Sequence, residues 1–135
     1  MCMLTLPISV TAQEKKAYDW SRVIDAIIQV ESKGNPKAHN PVGDCAGILQ
    51  ITPGLVKQCN DWLKAKKSKK RYTLADRYNV SKSKEMFIMY QTYLNKSNDV
   101  EKAIRIWNGG PGYSISGTNG YLNKVMKYYK KKGAE

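Results

Sequence analysis

Histidine is almost absent from the chain. His39 is the only one, and no Cys-x-x-Cys pair accompanies it. An imidazole or thiolate cage for a metal therefore has no ligand set, and neither a metal nor another cofactor is expected. Acidic residues are scarce, 11 against 23 Lys plus Arg, which leaves a net charge of +12. A surface that basic favours anionic partners: nucleic acid, anionic lipid or an anionic wall polymer. Long apolar runs are missing too. None approaches the ~20 residues that span a bilayer, so stable membrane insertion is not expected. There is no internal repeat, and no stretch alternates apolar and polar residues strongly enough to read as a strand. Phe occurs once, against nine Tyr and three Trp. Amphipathic aromatics of that kind suit a wet cleft or a stacking platform.

What is present is a globular composition in 135 residues, enough for one domain with a real core. Residues 1–12 differ from the rest, being uncharged, with Val10 and Ala12 at a spacing that suits cleavage before Gln13. They read as a truncated or minimal export signal, or else as an N-terminal arm; residues 13–135 form the domain. Cys2 has no lipoprotein-like context. Without the leader two cysteines remain, Cys45 and Cys59, which in an exported protein suggests either a disulfide or two buried thiols.

Helical periodicity organises the body. Trp20, Val23, Ile24, Ile27 and Ile28 form one apolar stripe, ended by Gly34, Asn35 and Pro36. Residues 37–51 read as an irregular loop, with at most a minor β element near 40–52. Thr52 as cap and Pro53 as first helical residue start a second helix. A third is expected from about Ser83, with Met86, Met89, Tyr90, Tyr93 and Leu94 on its apolar face. A fourth follows Asn98, whose spacing to Glu101 resembles a capping box. A last helix is expected from about Thr118 into the Lys-rich end. The fold class is mostly α, with about five or more helices in a single domain.

Glu31 stands out on this scaffold. It lies eleven residues after Trp20, about 20° around the helix at 100° per residue, and so in the middle of the apolar face. Partial burial and the carbonyl end of the helix both disfavour its charged form. A carboxylic acid kept protonated near neutral pH is what general-acid catalysis needs. The plain alternative is a glutamate that frays into water near Lys33.

The residues around Glu31 resemble those of a known family. Glu31-Ser32 followed by Gly34-Asn35-Pro36 is similar to the Glu-Ser-x-x-Asn-Pro motif of the Slt-type lytic transglycosylases, which have a lysozyme-like fold. Gly47-Ile48-Leu49-Gln50-Ile51 resembles their Gly-Leu-Met-Gln-Ile motif. Ala103 to Gly110, ending Trp107-Asn108-Gly109-Gly110, resembles their Ala-x-x-x-Tyr-Asn-x-Gly motif. Tyr78-Asn79-Val80 and Tyr121-Leu122 are weaker matches. The order is right across roughly residues 20–130.

The resemblance implies a peptidoglycan-cleaving enzyme that cuts the β-1,4 bond between N-acetylmuramic acid and N-acetylglucosamine and leaves a 1,6-anhydro end. One Glu serves as acid and then as base, unlike the two-carboxylate pattern of most glycosidases. It further implies that Glu31 is that residue, that Gln50 and Asn108 hydrogen-bond sugar and acetamido groups, and that Tyr121 positions Glu31. Ser32 would shape the helix end. Each has a structural alternative: a loop-stabilising amide for Gln50, a left-handed helix end for Asn108, and core packing for Tyr121 and Trp107. Tyr113, in the Gly-rich loop, would stack on a sugar or decorate the surface.

Three departures stand against the family pattern. Asn40 to Gly47 is one residue longer, Asn40 stands where Ser is common, and Gly117-Thr118 replaces a Glu-Thr pair. The longer loop places Asp44 on the cleft side, where a second carboxylate would hold a water and give lysozyme-like hydrolysis. The basic runs Lys64 to Arg71 and Lys127 to Lys132 read as solvated faces that also attract the carboxylates of wall glycans. Nucleic acid is not the expected partner, because no recognised binding motif is present. The remaining rival is a non-catalytic wall-binding module. The expectation is a monomer, exported to the bacterial periplasm or envelope, that opens the wall in turnover or for a secretion, conjugation or phage apparatus.

Overall fold

The apolar stripe after Trp20 does form a helix, and the rest of the domain is built on it. The computed structural model describes residues 17–133. The first helix, α1 (Ser21–Glu31), buries Val23, Ile24, Ala26, Ile27 and Ile28. A two-stranded antiparallel ribbon follows, β1 (His39–Asn40) and β2 (Cys45–Ala46), paired His39 to Ala46 and Asn40 to Cys45. A single bridge between Ala46 and Ile51 extends it, so the minor β element lies where the loop was expected. Next come α2 (Pro53–Ala65), a 3-10 helix (Leu74–Tyr78), α3 (Val80–Leu94), α4 (Val100–Gly109) and α5 (Ile115–Gly133). Among the described residues there are thus five α-helices, and the fold is mostly α.

Helix starts follow the capping chemistry of short polar side chains. Thr52 caps α2, its hydroxyl accepting from the Leu55 N–H, and Pro53 is the first helical residue as expected. The third helix begins three residues earlier than Ser83, because the Asn79 side chain accepts from the Lys82 N–H and caps it there. The fourth is capped by Asp99 rather than Asn98. The Asp99 carboxylate accepts from the Lys102 N–H at 2.9 Å, while Asn98 takes the left-handed conformation (φ 55°) just ahead of it. Asn tolerates that region better than most residues. The last helix begins at Ile115, not Thr118, with the Ser114 hydroxyl accepting from the Gly117 N–H.

The buried face of α3 also differs from expectation. It runs Ser83, Met86, Phe87, Tyr90 and Gln91, with Tyr93 outside. Polar residues at both ends hid that stripe in the sequence. Both are satisfied: Ser83 donates to the Arg77 carbonyl, and the Gln91 carbonyl oxygen accepts from Asn95. The core gathers around Phe87, Met86, Ile27, Leu49, Ile51 and Ile104, all essentially inaccessible to solvent. Trp107 belongs to it, with its ring against Phe87 at 4.8 Å and Tyr90 at 5.7 Å.

The suggested disulfide is not made. Cys45 and Cys59 are free thiols. Cys59 is buried under α3, within 3.9 Å of the Met86 carbonyl, and burial pushes its thiol up to about 12. Cys45 lies in the β ribbon, 4.0 Å from the Val42 carbonyl. The expected leader, residues 1–12, lies outside the described residues. No helix among the described residues is long and apolar enough to cross a membrane.

Candidate active site

Glu31 is the last residue of α1, and the chain turns away at once. The Ser32 and Lys33 N–H groups both donate to the Ile28 carbonyl, at 2.9 and 3.0 Å, and Lys33 takes φ 54°. The Ser32 hydroxyl then donates to the Ile48 carbonyl at 2.8 Å and accepts from the Gly34 N–H. Ser32 therefore does more than close a helix. It pins the helix end to the loop that carries Gln50.

That loop is held from three sides. Trp107 donates its indole N–H to the Leu49 carbonyl at 3.2 Å. Gly47 (φ 83°) presses so closely on the 3-10 helix that a Cβ there would collide with the Arg77 carbonyl. Arg77 is buried and donates to the carbonyls of Asp44 (2.7 Å), Ile51 (3.1 Å) and Leu74 (2.9 Å). A guanidinium buried among carbonyls fixes several strands of backbone at once, because each lost bond would leave a desolvated acceptor. Sequence reading missed Arg77. Its one available signal was a cation immediately ahead of the weak Tyr78-Asn79-Val80 motif match.

Tyr121 reaches Glu31 across ninety residues of chain. Its hydroxyl donates to Glu31 Oε2 at 2.7 Å. Helix α5 is set in place for this by a second buried cation, Arg105 of α4. Its guanidinium donates to the Ile115 carbonyl and the Thr118 hydroxyl, at 2.9 and 2.8 Å, at the start of α5. At the other end, Arg22 of α1 donates to the Tyr129 carbonyl and lies 3.7 Å over that ring. Arg105 and Arg22, too, were not singled out in the sequence.

The electrostatics follow from this packing. Burial raises the Glu31 carboxyl above the ordinary glutamate value, and the Tyr121 hydrogen bond, which favours the carboxylate, offsets part of that rise. Among the described residues no ion pair reaches Glu31. The Tyr121 phenol is itself raised, first by burial and then by the neighbouring carboxylate. Cys45 lies close enough to Glu31 and Asp44 that both charges add to the burial that raises its thiol. The sequence suggested Cys45 for a disulfide or a buried thiol; it is a free, partly buried thiol.

The remaining site candidates divide. Gln50 takes φ 54°, and its side-chain N–H groups donate to the Gly47 and Ala38 carbonyls at 3.0 and 3.3 Å. The amide braces its own loop. Asp44 also takes a left-handed turn (φ 51°), and one carboxylate oxygen meets His39 Nε2 at 2.7 Å and Arg77 at 3.3 Å. The His39 hydrogen bond leads in holding that carboxyl below its ordinary value, with Arg77 adding to it. Asp44 is thus a charged staple of the ribbon. Asn108 is exposed on the last turn of α4 and lines a cavity of about 350 Å³ with Gln58, Tyr90, Trp107 and Pro111. Tyr113 is half-buried in the turn after α4, its N–H donating to the Gly110 carbonyl. No group of three or more potential metal ligands occurs among the described residues.

The site thus sets one protonatable carboxyl at a helix end, against a braced loop and a phenol from the last helix. Residues 9–116 match the family model described as the Transglycosylase SLT domain. The chain belongs to that family. No curated protein and no solved structure matches it. The matched span holds Glu31, Gln50 and Asn108 in the order the motifs require and stops short of Tyr121. Membership of the SLT family carries a function of the lytic-transglycosylase type, acting on peptidoglycan.

Proposed function

We propose that this SLT domain cleaves the β-1,4 bond between N-acetylmuramic acid and N-acetylglucosamine with Glu31 as the single acid and base. The observation that carries this reading is the half-buried Glu31 carboxyl, raised by desolvation and oriented by Tyr121. Protonated Glu31 gives its proton to the leaving glycosidic oxygen. The resulting carboxylate, steadied by the Tyr121 hydroxyl, then takes the proton of the muramoyl C6 hydroxyl. That oxygen closes on C1, a 1,6-anhydro ring forms, and Glu31 is protonated again. Bonds and protons balance without water.

Asn108 is proposed as a partner of the sugar's acetamido group, from its exposed place beside the 350 Å³ cavity. Gln50 spends its N–H groups on the loop, which leaves its carbonyl oxygen for a sugar hydroxyl. Tyr113 is proposed as a stacking surface at the cleft edge. The setting that fits is the bacterial envelope, where such a domain, exported as a monomer, opens the wall in turnover or for a secretion, conjugation or phage apparatus.

Digestion of purified peptidoglycan followed by mass spectrometry tests the reading. Products lighter by one water, from the wild type and from Asp44→Asn alike, are expected. Reducing ends that depend on Asp44 would instead identify a hydrolase. Glycan binding without turnover would identify a wall-binding module.

A further inference from the structure

One turn along from the Glu31–Tyr121 pair, the seam between α1 and α5 opens into a separate cavity of about 300 Å³. Gln29, Val30, Lys33, Lys124, Lys127 and Tyr128 line it. Three lysines face one small space, and no carboxylate is among the lining residues. Among the described residues none of these three ammonium groups takes part in an ion pair. Like charges gathered without a counter-ion repel one another, and an anionic guest relieves that repulsion. Gln29 adds an amide, Tyr128 a hydroxyl and Val30 an apolar wall.

The placement links this cavity to the active site. Tyr121, Lys124 and Tyr128 follow one another at i, i+3 and i+7 on α5, a spacing that puts them on one stripe. Val30 and Lys33 flank Glu31 in the chain, and Lys33 is fixed by the left-handed turn that ends α1. The cavity beside Asn108 lies among α2, α3 and α4, whereas this one lies between α1 and α5. It is therefore distinct from the cavity beside Asn108. A wall glycan carries its carboxylates on peptide branches that leave the sugar chain sideways.

We propose that the Lys33–Lys124–Lys127 cavity is a subsite for the carboxylate-bearing peptide stem of the substrate. This rests on the peptidoglycan-cleaving reading of Glu31. It makes stem recognition a property of the α1–α5 seam, separate from the sugar contacts.

The test compares stem-bearing glycan strands with strands stripped of their peptides by an amidase. In Lys124→Gln/Lys127→Gln, two exposed charge pairs are lost. KM for stem-bearing strands should rise about two- to thirty-fold, with kcat unchanged and stripped strands unaffected. Lys96→Gln/Lys102→Gln carries the same charge change elsewhere and should leave both substrates alone. Free stem peptide, titrated by NMR into the full chain carrying Glu31→Gln, should perturb Gln29, Lys33 and Tyr128. Its carboxylate-amidated form should not. An equal loss on both substrates, or an equal effect of the control variant, would overturn the subsite. So would a stem peptide that leaves these residues unmoved. If the wild type cleaved neither substrate, the enzyme reading would fail, and the peptide titration would still decide the subsite.

Discussion

Replacing Tyr121 by Phe removes one hydroxyl and keeps the ring that packs between α5 and α1. The lost contact is the 2.7 Å hydrogen bond to Glu31 Oε2. A hydrogen bond to a charged acceptor contributes about 1.5–3 kcal/mol. The bond acts on the carboxylate form of Glu31, which is the form that takes the C6 proton in the second half of the reaction. Losing it should lower kcat/KM about ten- to a hundred-fold. It should also move the pH profile. The Tyr121 hydroxyl holds the Glu31 carboxyl down against the larger effect of burial. Without it the carboxyl rises further, so the alkaline limb of kcat/KM, where Glu31 loses its proton, shifts to higher pH. Turnover of purified peptidoglycan across a pH series, for wild type and Tyr121→Phe, measures both effects. A variant with wild-type rates and an unmoved limb would refute the positioning role. A loss of rate without a shift would reduce Tyr121 to a packing residue.

Glu31→Gln should abolish turnover, by about a hundred-fold or more, yet stabilise the fold at neutral pH. The folded-state carboxyl ionises above its ordinary value of 4.5, so its contribution to stability is fully present below that value and is lost as pH rises through the folded value. The amide escapes that loss. Thermal melts should therefore show the variant ahead of wild type near neutral pH and level with it below about pH 4.5. Gly47→Ala forces a side chain into left-handed backbone and against the Arg77 carbonyl; denaturant melts should report a loss of at least about 2 kcal/mol. Arg77→Met leaves the Asp44 and Ile51 carbonyls without their partner and should cost about 3 kcal/mol, with activity falling further than stability because the Gln50 loop loses its brace.

Much of this architecture was legible in the chain because it rests on local chemistry. The α1 stripe, the Thr52-Pro53 start of α2 and the Glu31 helix end all follow from periodicity and caps, and each is found where expected. The motif order was legible as well and agrees with the family match over residues 9–116, and the Tyr121 hydroxyl lies 2.7 Å from Glu31 Oε2. Two kinds of feature were not. Helix starts slipped where two capping side chains stood close together, as at Asn98 and Asp99, since only backbone geometry chooses between them. The buried cations Arg77 and Arg105 were invisible because their value lies in carbonyls brought from distant segments. Gln50 shows the same limit from the other side. Its motif position suggested a sugar ligand, while its N–H groups turn inward to the loop. Asp44, placed by an extra loop residue, is engaged by His39 and Arg77, neither of which the loop sequence named as its partner.

The account depends on where Glu31 holds its proton. Carbon-13 NMR titration of the side-chain carboxyl carbons, with Glu31→Gln used to assign the resonance, reads this directly. The midpoint for Glu31 should lie clearly above those of the exposed glutamates and climb further in Tyr121→Phe. A midpoint in the range of a free glutamate, indifferent to Tyr121, would contradict the account.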